Sequence, residues 1–296
     1  MRVRKTPAVI GVLLLCASRA VAAQEAGARD RFFDSNGVRI RYIEQGQGTP
    51  VVLIHGYTGN ADRHFVNPGV FGNLAADYRV IALDCRGHGK SGKPTDPKAY
   101  GREMAQDIVR LMTHLNIPRA HVVGYSMGAI LAGNLLTTDA DRFLSATFVG
   151  YHPVWKWTAD DDREAEATAR DLESDTPFRS LILAVSPRDA PPPEDEIRRL
   201  SQTLAAANDP KALAAYNRGR RALVVAETQL ASVRVPMLGI IGSADPSVGT
   251  MQDLKKVVPA LPVVVIDGAA HGGERGVMRR PEFLASLREF LAAHSR

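Results

Sequence analysis

Apolar and polar positions alternate in two rhythms along this chain. Short unbroken apolar runs stand at Pro50–Ile54 (PVVLI) and Arg79–Leu83 (RVIAL), then at His121–Tyr125, Leu144–Gly150, Pro236–Ile241 and Pro262–Ile266. Runs of this length with no polar interruption predict strands covered on both faces. Before them, Arg31–Asp34 and Val38–Glu44 flank Ser35-Asn36-Gly37, and Asn-Gly predicts the tight turn of an antiparallel hairpin. Between the strands the period changes. Met104, Ile108, Leu111, Met112 and Leu115 fall at helical spacing, as do Phe283, Leu284, Leu287, Phe290 and Leu291. Strands alternating with helices predict an α/β protein: a mostly parallel sheet with helices on both faces.

The alternation stops between about Val154 and Ala231. That block has no clear strand, an acid-rich stretch at Asp160–Asp175, three prolines at 191–193, and helical patterns at Glu194–Ala207 and Pro210–Leu223. It reads as a helical insertion, too long for a simple loop. The core is accordingly expected at 24–153 and 232–296, with the insertion at 154–231.

The first residues carry a different signal. Arg2, Arg4 and Lys5 precede the ten-residue apolar run Ala8–Ala17, and Val21-Ala22-Ala23 supplies small residues before Gln24. This three-part layout predicts a secretory signal peptide over 1–23 and a secreted or periplasmic mature chain. The apolar run is shorter than the roughly 20 residues a spanning helix needs, so no stable membrane span is expected after cleavage. The alternatives are a disordered or amphipathic start on a cytoplasmic protein, and lipidation at Cys16, although Leu15 is bulky for such a site. The remaining cysteine, Cys85, has no internal partner for a disulfide.

Charge changes its meaning once this segment is set aside. The chain has 37 basic and 32 acidic side chains, a formal +5. Residues 1–23 hold four of the basic ones and no acid, leaving 33 against 32. A body this near neutrality gives no electrostatic case for nucleic acid or an anionic membrane. No His/Cys cluster has metal-ligand spacing, and no Gly-rich loop has a dinucleotide or phosphate pattern, so no metal or cofactor is expected. The sequence carries no signal of oligomeric state.

Chemistry concentrates where strands end. Gly124-Tyr125-Ser126-Met127-Gly128 follows one strand and opens a helical run, Ala129–Leu136. There it predicts a tight turn with Ser126 exposed at its apex. Serine needs a base, and His271, in a Gly-Ala-Ala-His-Gly-Gly stretch after the last strand, is the candidate. Asp245, directly after Pro236–Ile241, is the candidate acid. Asp267 lies only four residues before His271, and Asp253 falls inside the helix after Asp245. In a parallel sheet the carboxyl ends of strands share one edge, so Ser126, Asp245 and His271 are expected together. His55-Gly56-Tyr57 reaches the same edge, and the backbone N–H groups of Tyr57 and Met127 are candidates for an oxyanion hole. Plainer readings exist: Ser126 and Asp245 as helix N-caps, His271 as a surface-loop histidine. Tyr151, Trp155 and Trp157 either line an acyl or alcohol pocket or pack the insertion. His55 is expected to be structural, Asp84 and Arg86 to pair with each other, and Cys85 to be a buried hydrophobe.

With these residues in place, the sequence resembles the α/β-hydrolases, which include esterases, lipases, C–C bond hydrolases and cofactor-free haloperoxidases. The resemblance runs from about Phe32 to the carboxyl terminus, the insertion apart. Asp84-Cys85-Arg86-Gly87-His88-Gly89-Lys90-Ser91 is similar to the family's Asp-x-Arg-Gly-x-Gly-x-Ser segment. Ala129 stands where many relatives have a further glycine. Relatives that dehalogenate or open epoxides carry aspartate at the elbow, so Ser126 argues against both. The resemblance implies an α/β-hydrolase fold with the insertion as a lid, and a small-molecule ester as substrate. The same triad also serves C–C bond, lactone, amide or peracid chemistry, and slow-turnover receptors of this fold exist.

Overall fold

A computed structural model describes residues 28–185 and 191–295. The segment read as a signal peptide, 1–23, lies outside the described residues.

Eight strands form one sheet in the order β1-β2-β4-β3-β5-β6-β7-β8. They are β1 (Arg31–Ser35), β2 (Val38–Gln45), β3 (Pro50–Ile54), β4 (Arg79–Leu83), β5 (Ala120–Tyr125), β6 (Phe143–Val149), β7 (Met237–Gly242) and β8 (Val263–Ile266). The expected hairpin pairs β1 with β2 around Asn36 and Gly37, both at positive φ. β2 joins β4 antiparallel, and every later pairing is parallel.

Alternate residues of the inner strands feed two cores. Val52, Ile54, Ile81, Leu83, Val122 and Phe148 pack with helices α2 (Arg102–His114) and α3 (Met127–Thr138) on one face. Val51, Leu53, Val80, Ala82 and Val123 pack on the other face with the short helix α1 (Val70–Leu74) and the last helix (Pro281–Ala293). Apolar side chains on both faces of β5 thus leave water for buried contacts, at roughly 25 cal/mol per Å². β8 departs from the expectation of two covered faces. It is an edge strand pairing only with β7, and Val265 is 44% exposed.

Between β6 and β7 the chain is helical: α4 (Ala159–Leu172), α5 (Arg179–Val185), α6 (Glu194–Ala207), α7 (Pro210–Gly219) and α8 (Glu227–Ser232). Thr158 and Asp161 form a capping box that starts α4. Ala169, Leu172, Phe178, Ile182, Ile197, Leu213 and Ala214 make a small separate core. α8 behaves differently, since Leu230 packs with α3 in the main core.

Register decides where the loops go. Ile54 pairs with Gly124, Tyr125 with Val149, Val149 with Ile240, and Gly242 with Ile266. The carboxyl ends of β3, β5, β6, β7 and β8 therefore finish level on one edge.

Candidate active site

At that edge the β5–α3 turn is close to the limit of what a backbone allows. A Cβ on Gly124 would lie 2.2 Å from the Gly128 carbonyl oxygen, and one on Gly128 would lie 2.0 Å from that of Ile54. Only glycine fits either place. Ser126 itself has φ 55° and ψ −113°, a conformation costly for a residue with a side chain. It occupies the N-cap position of α3 but makes no capping hydrogen bond. Its Oγ instead lies 3.0 Å from Nε2 of His271.

Two loops deliver the partners. Gly242 and Ala269 approach so closely that a Cβ on Gly242 would meet the Ala269 carbonyl at 2.0 Å, and Ala244 N–H donates to that carbonyl. This contact locks the loop after β7 to the loop after β8. Asp245 Oδ2 then lies 2.7 Å from Nδ1 of His271, while Oδ1 accepts Ser247 N–H. Asp245 is 2% exposed, so its carboxylate is screened little by water. His271 is held on the other side by Tyr125, whose OH donates to the His271 carbonyl. Gly150, at φ 69°, leaves room for the imidazole. Ser126, His271 and Asp245 are thus brought together in hydrogen-bonded sequence, whereas Asp253 lies in helix α9 (Val248–Val257) and Asp267 bonds Ser243.

Tyr57 and Met127 also reach the site. Met127 opens α3, where an N–H has no intrahelical acceptor, and Tyr57 N–H donates to no acceptor among the described residues. Tyr57, Tyr125, Ser126 and His271 line a cavity of about 420 Å³. Thr58, next to Tyr57, is at φ 55°, an outlier for a β-branched residue. The strain is held by a buried frame. His55 Nδ1 donates to the Gly56 carbonyl, and Nε2 accepts Cys85 N–H, which fixes a neutral tautomer. His64 Nδ1 accepts Gly56 N–H. Burial holds His64 and His88 far below the ordinary imidazole value, at about 3.

The expectation that Asp84 and Arg86 pair with each other is corrected. Asp84 pairs with Arg41, 3.2 Å away, and also accepts Ala61 N–H and Lys90 N–H. Arg86 is bidentate to Asp107, at 2.7 and 2.6 Å. The two side chains follow β4 in different directions, and each is neutralised from another element, as burial of a charge requires. Ser91 Oγ closes the segment by donating to the Asp84 carbonyl. Cys85 is buried, and burial pushes its thiol well up.

Two contributors carry no motif in the sequence, and a third, Tyr125, is a variable position of the Gly124–Gly128 motif. Tyr125 and His64 brace the site as described. Asn217, on α7, donates through Nδ2 to Tyr57 Oη at 2.9 Å and so ties the helical insertion to the Tyr57 loop. Burial pushes the Tyr57 phenol up to about 12, keeping it protonated. Among the described residues, no group of three or more His, Cys, Asp or Glu side chains could hold a metal ion. None of their helices is long and apolar enough to cross a membrane.

Comparison with known proteins agrees with this architecture. The chain is 38% identical over 130 residues to a dihydrolipoyllysine-residue acetyltransferase component of an acetoin cleaving system from Cupriavidus necator, covering 43% of this chain and 33% of that protein. It is 32% identical over 142 residues to an Escherichia coli esterase, covering 48% and 54%. The matched stretches thus span a third to about half of these relatives' length. A thermophilic esterase from Thermogutta terrifontis superimposes with a TM-score of 0.71 at 21% identity, covering 91% of this chain and all of that one. The family model for the alpha/beta hydrolase fold matches residues 49–272, from β3 to the loop bearing His271. This chain belongs to the α/β-hydrolase fold family.

Proposed function

We propose that the protein hydrolyses small or medium carboxylic esters through an acyl-enzyme. The observation that carries this reading is the Ser126–His271–Asp245 chain of hydrogen bonds, 3.0 and 2.7 Å long, at the wall of a cavity. Ser126 Oγ attacks the ester carbonyl carbon while His271 Nε2 takes its proton. Asp245 holds the tautomer with hydrogen on Nδ1 and stabilises the imidazolium. The oxyanion accepts from Tyr57 N–H and Met127 N–H. Collapse expels the alkoxide, which leaves as alcohol with the proton from His271. A water then gives its proton to His271 and attacks the acyl carbon, and the carboxylic acid departs as Ser126 recovers its hydrogen. The E. coli relative's name, esterase, supports the same bond class.

A panel of chromogenic esters of increasing acyl length tests the reading. Fast turnover of short esters is expected. Tight ligand binding with negligible turnover would identify a receptor, and turnover confined to lactones or C–C substrates would move the reaction to another bond. We further propose that the chain is exported and cleaved near Gln24. Mass spectrometry of protein from its native host is expected to show residues 1–23 removed. Their retention on cytoplasmic protein would overturn export.

A further inference from the structure

The cavity that Ser126 and His271 line carries permanent charge of a single sign. Arg63 and Arg279 line it as well, and among the described residues no Asp or Glu does. Elsewhere this protein pairs its arginines: Arg41 with Asp30 and Asp84, Arg86 with Asp107, Arg218 with Glu166 and Glu173. Arg63 and Arg279 have no such carboxylate partner among the described residues. The Arg63 guanidinium reaches the Thr58 carbonyl, at 3.4 Å, which is the long end of a hydrogen bond.

Each arginine stands on a fixed backbone. Arg63 belongs to one wide helical turn, Asp62–Val66, closed by Asn67 N–H on the Asp62 carbonyl at 2.8 Å. Such turns are rare and recur at functional sites. Asn60 Oδ1 accepts Arg63 N–H at 2.8 Å. Arg279 ends the short turn Val277–Arg279, and its N–H donates to the Gly276 carbonyl. Val277 N–H donates to the carbonyl of Ala270, the residue before His271. Both arginines are exposed, so a solute in the cavity reaches them. The bond to Thr58 puts the Arg63 guanidinium beside a residue that lines the cavity. After burial and the His55 charge, the Arg63 charge also helps to hold down His64, another lining residue. The nearby acids do not cancel these cations. Asp62 is taken by Arg41, and Asp245 is buried and bonded to His271. Glu274, in the loop after His271, does not line the cavity.

We propose that Arg63 and Arg279 bind a carboxylate carried by the substrate, so that the enzyme selects anionic esters, such as half-esters of dicarboxylic acids. A guanidinium presents a planar fork of donors that matches a carboxylate. The cavity offers that group two cations and no competing acid. Ser126, His271 and both arginines line the same space, so the carboxylate and the ester carbonyl that Ser126 attacks lie in one bound molecule. This inference rests on the ester-hydrolase reading and narrows its substrate class.

Two matched pairs of esters test it on the full-length enzyme. Mono-(4-nitrophenyl) glutarate against 4-nitrophenyl pentanoate puts the carboxylate on the acyl side. 4-Acetoxybenzoate against 4-methylphenyl acetate puts it on the alcohol side, each rate being corrected for uncatalysed hydrolysis. In one pair at least, kcat/KM at low salt is expected to favour the anion about tenfold, as two exposed ion pairs near the top of their usual range would give. In about 1 M sodium chloride, where charges are screened within roughly 3 Å, the preference is expected to fall below about threefold. Arg63→Gln and Arg279→Gln are each expected to lower the anion-to-neutral ratio about threefold, and Arg63→Glu with Arg279→Glu to reverse it. A defect of folding alone slows both members of a pair alike and leaves the ratio unmoved. No preference in either pair, or a preference that neither salt nor the arginine variants alter, would overturn the assignment. Calorimetry of Ser126→Ala protein with monomethyl and dimethyl glutarate keeps the two readings apart. Salt-sensitive binding of the half-ester alone, with no ester turned over by wild type, would overturn the catalytic reading and leave the carboxylate site standing.

Discussion

Mild acid should weaken this fold through its buried histidines. Burial holds His64 and His88 at about 3 and His121 at about 4, so in the folded chain all three stay neutral at pH 5. Once unfolded, each titrates near about 6.5 and binds a proton at pH 5 that the native state does not. The unfolded state therefore gains stability as pH falls from about 6.5 towards 4, and the folded state loses it. Between pH 7 and 5 each histidine costs about 2 kcal/mol, and the three together roughly 6 kcal/mol, a large part of the 5–15 kcal/mol typical of a domain. For a chain of this size that corresponds to a melting point lower by about 10 °C. Urea unfolding at pH 7, 6 and 5 measures it. His121 is the control because it lies on β5 away from the catalytic cavity, bonded to Ser145 and Ser295. His121→Asn should remove about one proton from the pH slope whatever it does to stability at pH 7. A stability change under about 1 kcal/mol from pH 7 to 5, or an unchanged slope in His121→Asn, would refute the argument.

Four further outcomes follow from the site. Ser126→Ala should lower ester turnover at least a thousandfold or so with a nearly unchanged melting curve, because a single half-buried hydroxyl is lost; residual activity above a tenth of wild type would remove Ser126 from the mechanism. Asp245→Asn should lower kcat by about 10³–10⁴ through the wrong imidazole tautomer, and a variant within threefold of wild type would show the triad idle. Gly128→Ala should cost roughly 3 kcal/mol or more, read by urea unfolding, because its methyl meets the Ile54 carbonyl at 2.0 Å. Asn217→Leu should lower kcat about five- to tenfold with KM nearly unchanged, as the Tyr57 loop loses its tie to α7; an unaltered kcat would show the tie to be ornamental.

How much of this was legible follows from the kind of physics involved. The inner strands could be read because burial on both faces excludes polar residues from them, and strand-end loops inherit their location from that parallel order. Hence Ser126, Asp245 and His271 could be assembled from separate segments, and Tyr57 and Met127 placed nearby. The partners of Asp84 and Arg86 were not legible. Arg41 and Asp107 come from β2 and α2, and nothing local distinguishes them from solvated charges. The short helices Val70–Leu74 and Glu227–Ser232 escaped too, since one turn or so has no period to detect. The exposed Val265 in β8 shows the limit from the other side: an apolar run tells of strand, not of which strand is the edge.

The bond from Asn217 to Tyr57 has a consequence for how such an enzyme diverges. One end sits in the helical insertion, and the other stiffens the loop whose amide, on the function proposed above, meets the developing charge. Selectivity and speed are thereby written partly in the same residues. Exchanging the 159–232 segment for that of a relative would not transplant a specificity cleanly onto an unchanged engine. It would also retune the engine, unless the new segment kept an amide at the position of Asn217 or gave the Tyr57 loop another anchor.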